Sequence, residues 1–223
     1  MPKGRTTRKK TNNTLLKRVK MLESSMKAEE TKKHFTAYGE QSVPATPGAN
    51  VPFINVINDL VQATDADGVD GVKYALTGIA QKWFIHNQTA VDLLFRTCVI
   101  RSKSTIGGSG EDLFLSLQGE GLNFSSASES QKIYLNINHQ KYDVIFEDMI
   151  KVGKSNASGT SQYDNNQFIR GYKRFKNKVE TIDGDGLPNT RYYLLAWVVD
   201  ANLDNNACSV ELSGMTTFYY KDN

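Results

Sequence analysis

Between Phe168 and Glu180 the chain reads FIRGYKRFKNKVE, and in an extended strand its two parities carry different chemistry. Arg170, Tyr172, Arg174, Lys176 and Lys178 fall on one face; Ile169, Gly171, Lys173, Phe175, Asn177 and Val179 fall on the other. Cations interleaved with an aromatic can neutralise phosphates and stack a base, so these five are candidate nucleic-acid-binding residues. The same pattern suits an edge strand that lysines guard against aggregation, and the sequence leaves both readings open.

A second concentration of positive charge lies at the N-terminus. Residues 1–33 hold eleven Lys or Arg against three Glu, a net +8, whereas the remainder has 16 basic against 21 acidic residues, a net −5. A positive tail on a mildly acidic body points to a polyanionic partner for the tail, with Lys3, Arg5, Arg8, Lys9, Lys10, Lys17, Arg18 and Lys20 as its contact residues. Residues 1–13 lack the apolar side chains that would repay ordering and are expected to be a flexible basic arm. From Thr14 the pattern changes. Leu15, Val19, Leu22 and Met26 recur at helical spacing, which predicts a short amphipathic helix over residues 14–34. That narrow stripe suits self-association of arms; a helix lying on its own domain would give the same stripe. Residues 35–52, with Pro44, Pro47 and Pro52, have the composition of a linker, and the folded domain is expected over 53–223.

Other constellations carry less. Asp65, Asp67 and Asp70 in DADGVDG have carboxylates in a Gly-containing turn, as a calcium loop does, but the spacing departs from the EF-hand and no Glu closes it. An acidic turn is the plainer reading, as it is for Asp183 and Asp185 in DGDG. His34, His86 and His139 are scattered, so neither a zinc site nor a nucleophile relay can be assembled. GGSG at Gly107 to Gly110 does not match a nucleophile elbow. The expectation is a protein that is not an enzyme and needs no metal or cofactor. Cys98 and Cys208 sit in strand-like runs and are expected to be buried, reduced thiols. No apolar run approaches the roughly 20 residues of a membrane span, and no apolar signal core follows the basic start, so neither a membrane partner nor export is expected.

The elements that would hold these residues are mostly strands. RYYLLAWVVD, Arg191 to Asp200, has eight consecutive residues without a polar interruption and reads as a central strand covered on both faces. FINVINDLVQ, VKYALTGIAQKWFI, VDLLFRTCVIRS, DLFLSLQG, QKIYLNINH, YDVIFEDMI and QFIRGYKRF precede it, and SVELSGMTTFYYKDN closes the chain. In QKIYLNINH, Ile133, Leu135 and Ile137 alternate with polar or amphipathic residues, the period of a strand with one wet face. Roughly eight strands and no long helix beyond residue 40 predict an all-β fold of two packed antiparallel sheets.

Five of these blocks, ALTGIAQ, YDVIFEDMI, RGYKRFKNKVET, RYYLLAWVVDA and VELSGMTTFYYKDN, resemble in order and spacing the strand blocks of capsid proteins from small circular single-stranded DNA viruses that encode a replication initiator. The terminal block ends in Tyr220, Lys221 and Asp222, as that family's does in type. The resemblance spans residues 75 to 223 and implies a single eight-stranded jelly roll. It further implies a small T=1 icosahedral shell of 60 copies, with single-stranded DNA packed inside by the basic arm. The location implied is the virion, with the host nucleus as the site of assembly. The arm holds more lysine than arginine and turns helical early, which also resembles the arms of small satellite RNA virus coats and leaves RNA open as cargo. The alternative from another class is a monomeric β-sandwich module that binds nucleic acid or carbohydrate. Host and receptor are not readable from these residues.

Overall fold

Arg191–Asp200 is buried at nearly every position, and its place in the fold explains the unbroken apolar run. The computed structural model describes residues 31–45, 52–62, 68–102, 106, 113–116, 119–155, 165–204 and 207–222. Residues 32–223 form one compact unit. In chain order the described elements are β1 (Lys32–Ala45), β2 (Phe53–Val56), β3 (Lys73–Asn87), β4 (Leu93–Ser102), β5 (Phe114–Leu115), β6 (Gly121–Leu122), helix α1 (Glu129–Ile133), β7 (Asn136–Ile137), β8 (Asp143–Val152), β9 (Asn166–Thr181), β10 (Arg191–Asp200) and β11 (Cys208–Asp222).

Two four-stranded antiparallel sheets carry the long strands, in the orders β1-β11-β3-β9 and β2-β10-β4-β8. The pairings nest: β4 with β8, β3 with β9, β2 with β10, β1 with β11. The chain is thus one long hairpin doubled back between β4 and β8. Rolling it up adds the pairs β3–β11 and β4–β10. Nested pairing closed in this way is an eight-stranded jelly roll, the fold the resemblance implied.

Side-chain alternation sorts the apolar residues into two cores. Tyr192, Leu194, Ala196 and Val198 of β10 point between the sheets, where they meet Ile79, Trp83 and Ile85 of β3, Phe95 and Val99 of β4, and Phe218 and Tyr220 of β11. Tyr193, Leu195, Trp197 and Val199 point the other way. There the segment carrying β5, β6, α1 and β7 folds back over the sheet and covers them with Phe114, Phe124, Leu135 and Ile137. The second core is why β10 shows no alternation. Cys98 and Cys208 are buried and unpaired, and burial pushes the thiols up to about 12 and about 11.

Four expectations are corrected. QKIYLNINH is not one strand: Ser128 and Gln131 form a reciprocal capping box, which starts α1 over Glu129–Ile133, and only Asn136–Ile137 is extended. The apolar residues still reach inward, since Leu135 and Ile137 are buried, so their alternation marked burial rather than a strand. Among its described residues DLFLSLQG contributes the two-residue β5. Residues 35–52 are not simply a linker, nor does a helix run to residue 34, because Lys32–Ala45 is the 14-residue edge strand β1, paired with β11. Its inward positions, His34, Thr36 and Tyr38, are polar or amphipathic, so it lacks the apolar alternation that would announce a strand. Pro44 lies near its end, where an edge strand tolerates a missing donor. The rest of the expected helix, with Leu15, Val19, Leu22 and Met26, lies outside the described residues, as do Lys3, Arg5, Arg8, Lys9, Lys10, Lys17, Arg18 and Lys20.

Candidate nucleic-acid interface

The outward face of the β1-β11-β3-β9 sheet is the place where the strand chemistry of FIRGYKRFKNKVE comes to lie. Cross-strand register arranges that face in rows. Lys33 of β1 pairs with Tyr219 of β11, which pairs with Gly78 of β3, which pairs with Arg174 of β9. The next row is Phe35, Thr217, Ala80 and Tyr172; the next is Ala37, Met215, Lys82 and Arg170. Ser213, Phe84 and Phe168 follow, and then Glu211, His86 and Asn166. The intervening residues, among them Phe218, Thr216, Trp83, Ile79 and Ile169, face inward and are buried, which fixes the outward set by alternation.

Arg170, Tyr172 and Arg174 are therefore brought together on one exposed face, as read from the sequence. Lys178 is not on it. In β9 the register with β3 passes from Arg174 opposite Gly78 to Lys178 opposite Leu76, a bulge that leaves Phe175, Lys176 and Asn177 outside the ladder. Beyond it the parity is reversed, so Lys178 shares the side of buried Glu180, while Val179 is 57% exposed. Phe175 packs against the inner core, and the Lys178 ammonium sits 6.0 Å over its ring. Lys176 is exposed within the bulge. A strict period of two could not anticipate the reversal.

Sequence reasoning missed Lys33, Phe35, Lys82, Phe84, Phe168 and Tyr219. The signal was present in β3 and β11, where Lys82, Phe84 and His86 alternate with Gln81, Trp83 and Ile85, and Tyr219 alternates with Phe218 and Tyr220. It was masked because both parities are rich in aromatics.

The aromatic rings brace one another. Tyr172 meets Tyr219 edge to face with centroids 5.9 Å apart, and Lys33 Nζ lies 5.8 Å from the Tyr219 centroid. Phe84 and Phe168 are 5.0 Å apart, and the Arg170 guanidinium lies 5.9 Å from the Phe168 ring. Gly78 makes room for Tyr172, since a Cβ there would lie 2.7 Å from its hydroxyl oxygen. Phe35, Phe168 and Tyr172 are 55%, 65% and 59% exposed, unusual for three large aromatics on one sheet face.

The edge strand β1 positions Lys33 and Phe35 through its inward residues. Lys32 Nζ pairs with Asp222 at 2.6 Å and with Asp70 at 3.1 Å, and the hydrogen bonds to these carboxylates raise the lysine above its ordinary range. His34 Nε2 lies 2.7 Å from Asp59 Oδ1, the Thr36 hydroxyl donates to the same oxygen, and the Tyr38 hydroxyl donates to the Val56 carbonyl at 2.6 Å. Burial works to raise the Asp59 carboxyl, but the hydrogen bonds from Thr36 and His34 outweigh it and hold the group below the usual carboxylate range.

Of the acidic turns, Asp65 and Asp67 lie outside the described residues, and Asp70 is one of the partners of Lys32. The Asp183 carboxylate accepts from the backbone N–H of Asp185 and of Leu187, which makes it the brace of a tight turn. Among the described residues no cluster of His, Cys, Asp and Glu is arranged to hold a metal ion.

No family model matches the chain, and no curated protein matches it. Solved structures with a similar course of the chain include mud crab tombus-like virus, at 8% identity over 88% of this chain and 84% of that one, TM-score 0.39. Desmodium yellow mottle tymovirus aligns at 9% identity over 86% and 89% of the two chains, TM-score 0.26. The infectious bursal disease virus VP2 subviral particle aligns at 11% over 83% of this chain and 32% of that one, TM-score 0.29, so this chain spans about a third of its length. The jelly-roll assignment rests on the strand order and register of this chain.

Proposed function

We propose that this chain is a viral capsid protein that self-assembles into a small icosahedral shell of sixty copies and packages a single-stranded genome, with DNA as the cargo. The observation that carries the reading is the complete jelly-roll strand order in a chain whose first 33 residues hold a net +8. A jelly roll is shared by capsid domains, lectins and cupins, so fold alone does not choose among them. The charge segregation supports the capsid reading, because a cationic tail ahead of β1 has a polyanion as its natural partner. In this reading Lys3, Arg5, Arg8, Lys9, Lys10, Lys17, Arg18 and Lys20 bind the genome without sequence preference. The Leu15, Val19, Leu22, Met26 stripe bundles neighbouring arms, and crowding helps a helix too short to be stable alone. The product is a virion component, with the host nucleus as its place of assembly.

Size-exclusion chromatography with negative-stain microscopy tests the assembly. Closed particles are expected; a 25 kDa monomer at high concentration in near-physiological salt would instead support a monomeric binding module. Deleting residues 1–31, which leaves β1 whole, is expected to give a folded protein whose particles are depleted of nucleic acid by their ultraviolet absorbance ratio. Truncated particles as rich in nucleic acid as the full-length ones would remove the arm's role.

A further inference from the structure

We propose that the outward face of the β1-β11-β3-β9 sheet is a second nucleic-acid site, which takes unpaired bases by stacking and so selects single strands over duplex. It rests on the packaging reading only in sharing the arm's class of ligand. Tyr172 and Phe168 stand on the same strand four residues apart, Phe168 braced by Phe84 of the adjacent β3 and Tyr172 by Tyr219 of β11, which reaches it across Gly78 of β3. Bracing fixes their orientation before any ligand arrives, which lowers the ordering cost of binding. Arg170 lies between them in the strand, and Lys33 caps Tyr219.

A second copy of this chain is the other obvious occupant, and charge argues against it. The rows from Lys33 to Arg170 carry cations and no carboxylate, and the face's Glu211 lies in the last row described. Two such faces brought together would place like charges opposite each other, whereas phosphates complement them. The sheet is broad and offers no helix or ribbon to enter a major groove. Bases in a duplex are already stacked on each other, while a single strand leaves their π-faces open to aromatic side chains.

The two sites differ in how salt acts on them. Arm binding is driven by counterion release and falls steeply as salt rises, but stacking is not ionic and survives. The experiment uses the full chain and a thymidine oligonucleotide, titrated across a range of salt by fluorescence anisotropy, with a duplex of equal length alongside. Wild type is expected to retain affinity for the single strand at salt that abolishes duplex binding. The double variant Tyr172→Ala, Phe168→Ala should weaken single-strand binding at high salt by about tenfold or more with its salt slope unchanged. Arg170→Ala with Arg174→Ala should instead reduce the slope by about 0.7 for each cation removed.

Unchanged high-salt affinity in the folded aromatic variant, equal binding of duplex and single strand, or loss of a dimer in that variant would each overturn the proposal. If the variant fails to fold, ultraviolet cross-linking of wild type to the same oligonucleotide decides: adducts on peptides of β9 or β11 are expected, and adducts confined to residues 1–31 would overturn it. Because these measurements need no particle, failure to form shells would leave this site standing, and its failure would leave the shell standing.

Discussion

Trp197 ties the β2-β10-β4-β8 sheet to the segment folded over its outer face. Its indole N–H donates to the Lys132 carbonyl at 2.9 Å, the Arg96 guanidinium lies 5.2 Å from its ring, and Phe114 and Phe124 meet it edge to face. Trp197→Ala should cost about 3–5 kcal/mol in a denaturant titration, the range for truncating a large buried aromatic. Trp197→Asp, which adds an unpaired charge, should yield no folded protein. Arg96 reaches the same segment by donating to the Ile133 carbonyl at 2.7 Å while it pairs with Glu147. Gly214 is constrained differently: a Cβ there would collide with the Lys82 carbonyl and lie 2.9 Å from the Trp83 Cα, backbone that cannot turn aside. Gly214→Ala is expected to destabilise by about 1–3 kcal/mol in the same assay. A variant as stable as wild type would show that β3 and β11 can separate there without loss.

At the scale of elements, β1 is anchored by polar contacts of Lys32, His34, Thr36 and Tyr38, and its anchorage should depend on pH. Asp59 has a carboxyl lowered in the folded state, so its contribution is present above the ordinary carboxylate pKa and is lost as pH falls through the lowered value. Lys32 works in the opposite sense: its own raised pKa gives a contribution that is fully present below the ordinary lysine range and is lost as pH rises through the raised value. Acid should therefore loosen β1 before the inner core, seen as faster amide exchange over residues 33–38, and Asp59→Asn should remove most of that pH dependence. Exchange in β1 that tracks the core at every pH would contradict this. The same polarity explains what the sequence showed and hid. β3, β4, β8, β9, β10 and β11 were readable because apolar runs or clean alternation mark strands that face the cores. β1 was hidden by Lys32, His34 and Thr36, whose value lies in pairing with Asp222 and Asp59, partners distant in sequence. The candidate site divided in the same way: Arg170, Tyr172 and Arg174 followed from period two, but Lys178 was lost to a bulge. Lys33, Lys82 and Tyr219 joined only through the order β1-β11-β3-β9, which no local pattern contains.

On the scale of the whole molecule, charge rather than shape sets how much nucleic acid each copy takes up. Beyond residue 33 the chain carries a net −5, so the body as a whole opposes a polyanion, and the sheet face is a local exception. The arm ahead of β1, residues 1–31, holds nine Lys or Arg against three Glu, a net +6, and must therefore supply the long-range attraction in the proposed particle. Each packaged nucleotide brings one negative charge, and the favourable term is release of its counterions as lysines and arginines replace them. Packaged length should then follow arm charge in steps. Replacing Lys3, Arg5, Arg8 and Lys9 by Gln lowers the arm's net charge from +6 to +2 while leaving the Leu15, Val19, Leu22, Met26 stripe and β1 untouched. Particles of this variant are expected to assemble with unchanged diameter and to hold fewer nucleotides per subunit, by about one for each cation removed. Phosphate analysis against protein mass on purified particles measures the ratio directly. A nucleotide content unchanged by the four substitutions would mean that the genome is held by the shell wall rather than by the arm, and would shift the packaging role to the sheet face.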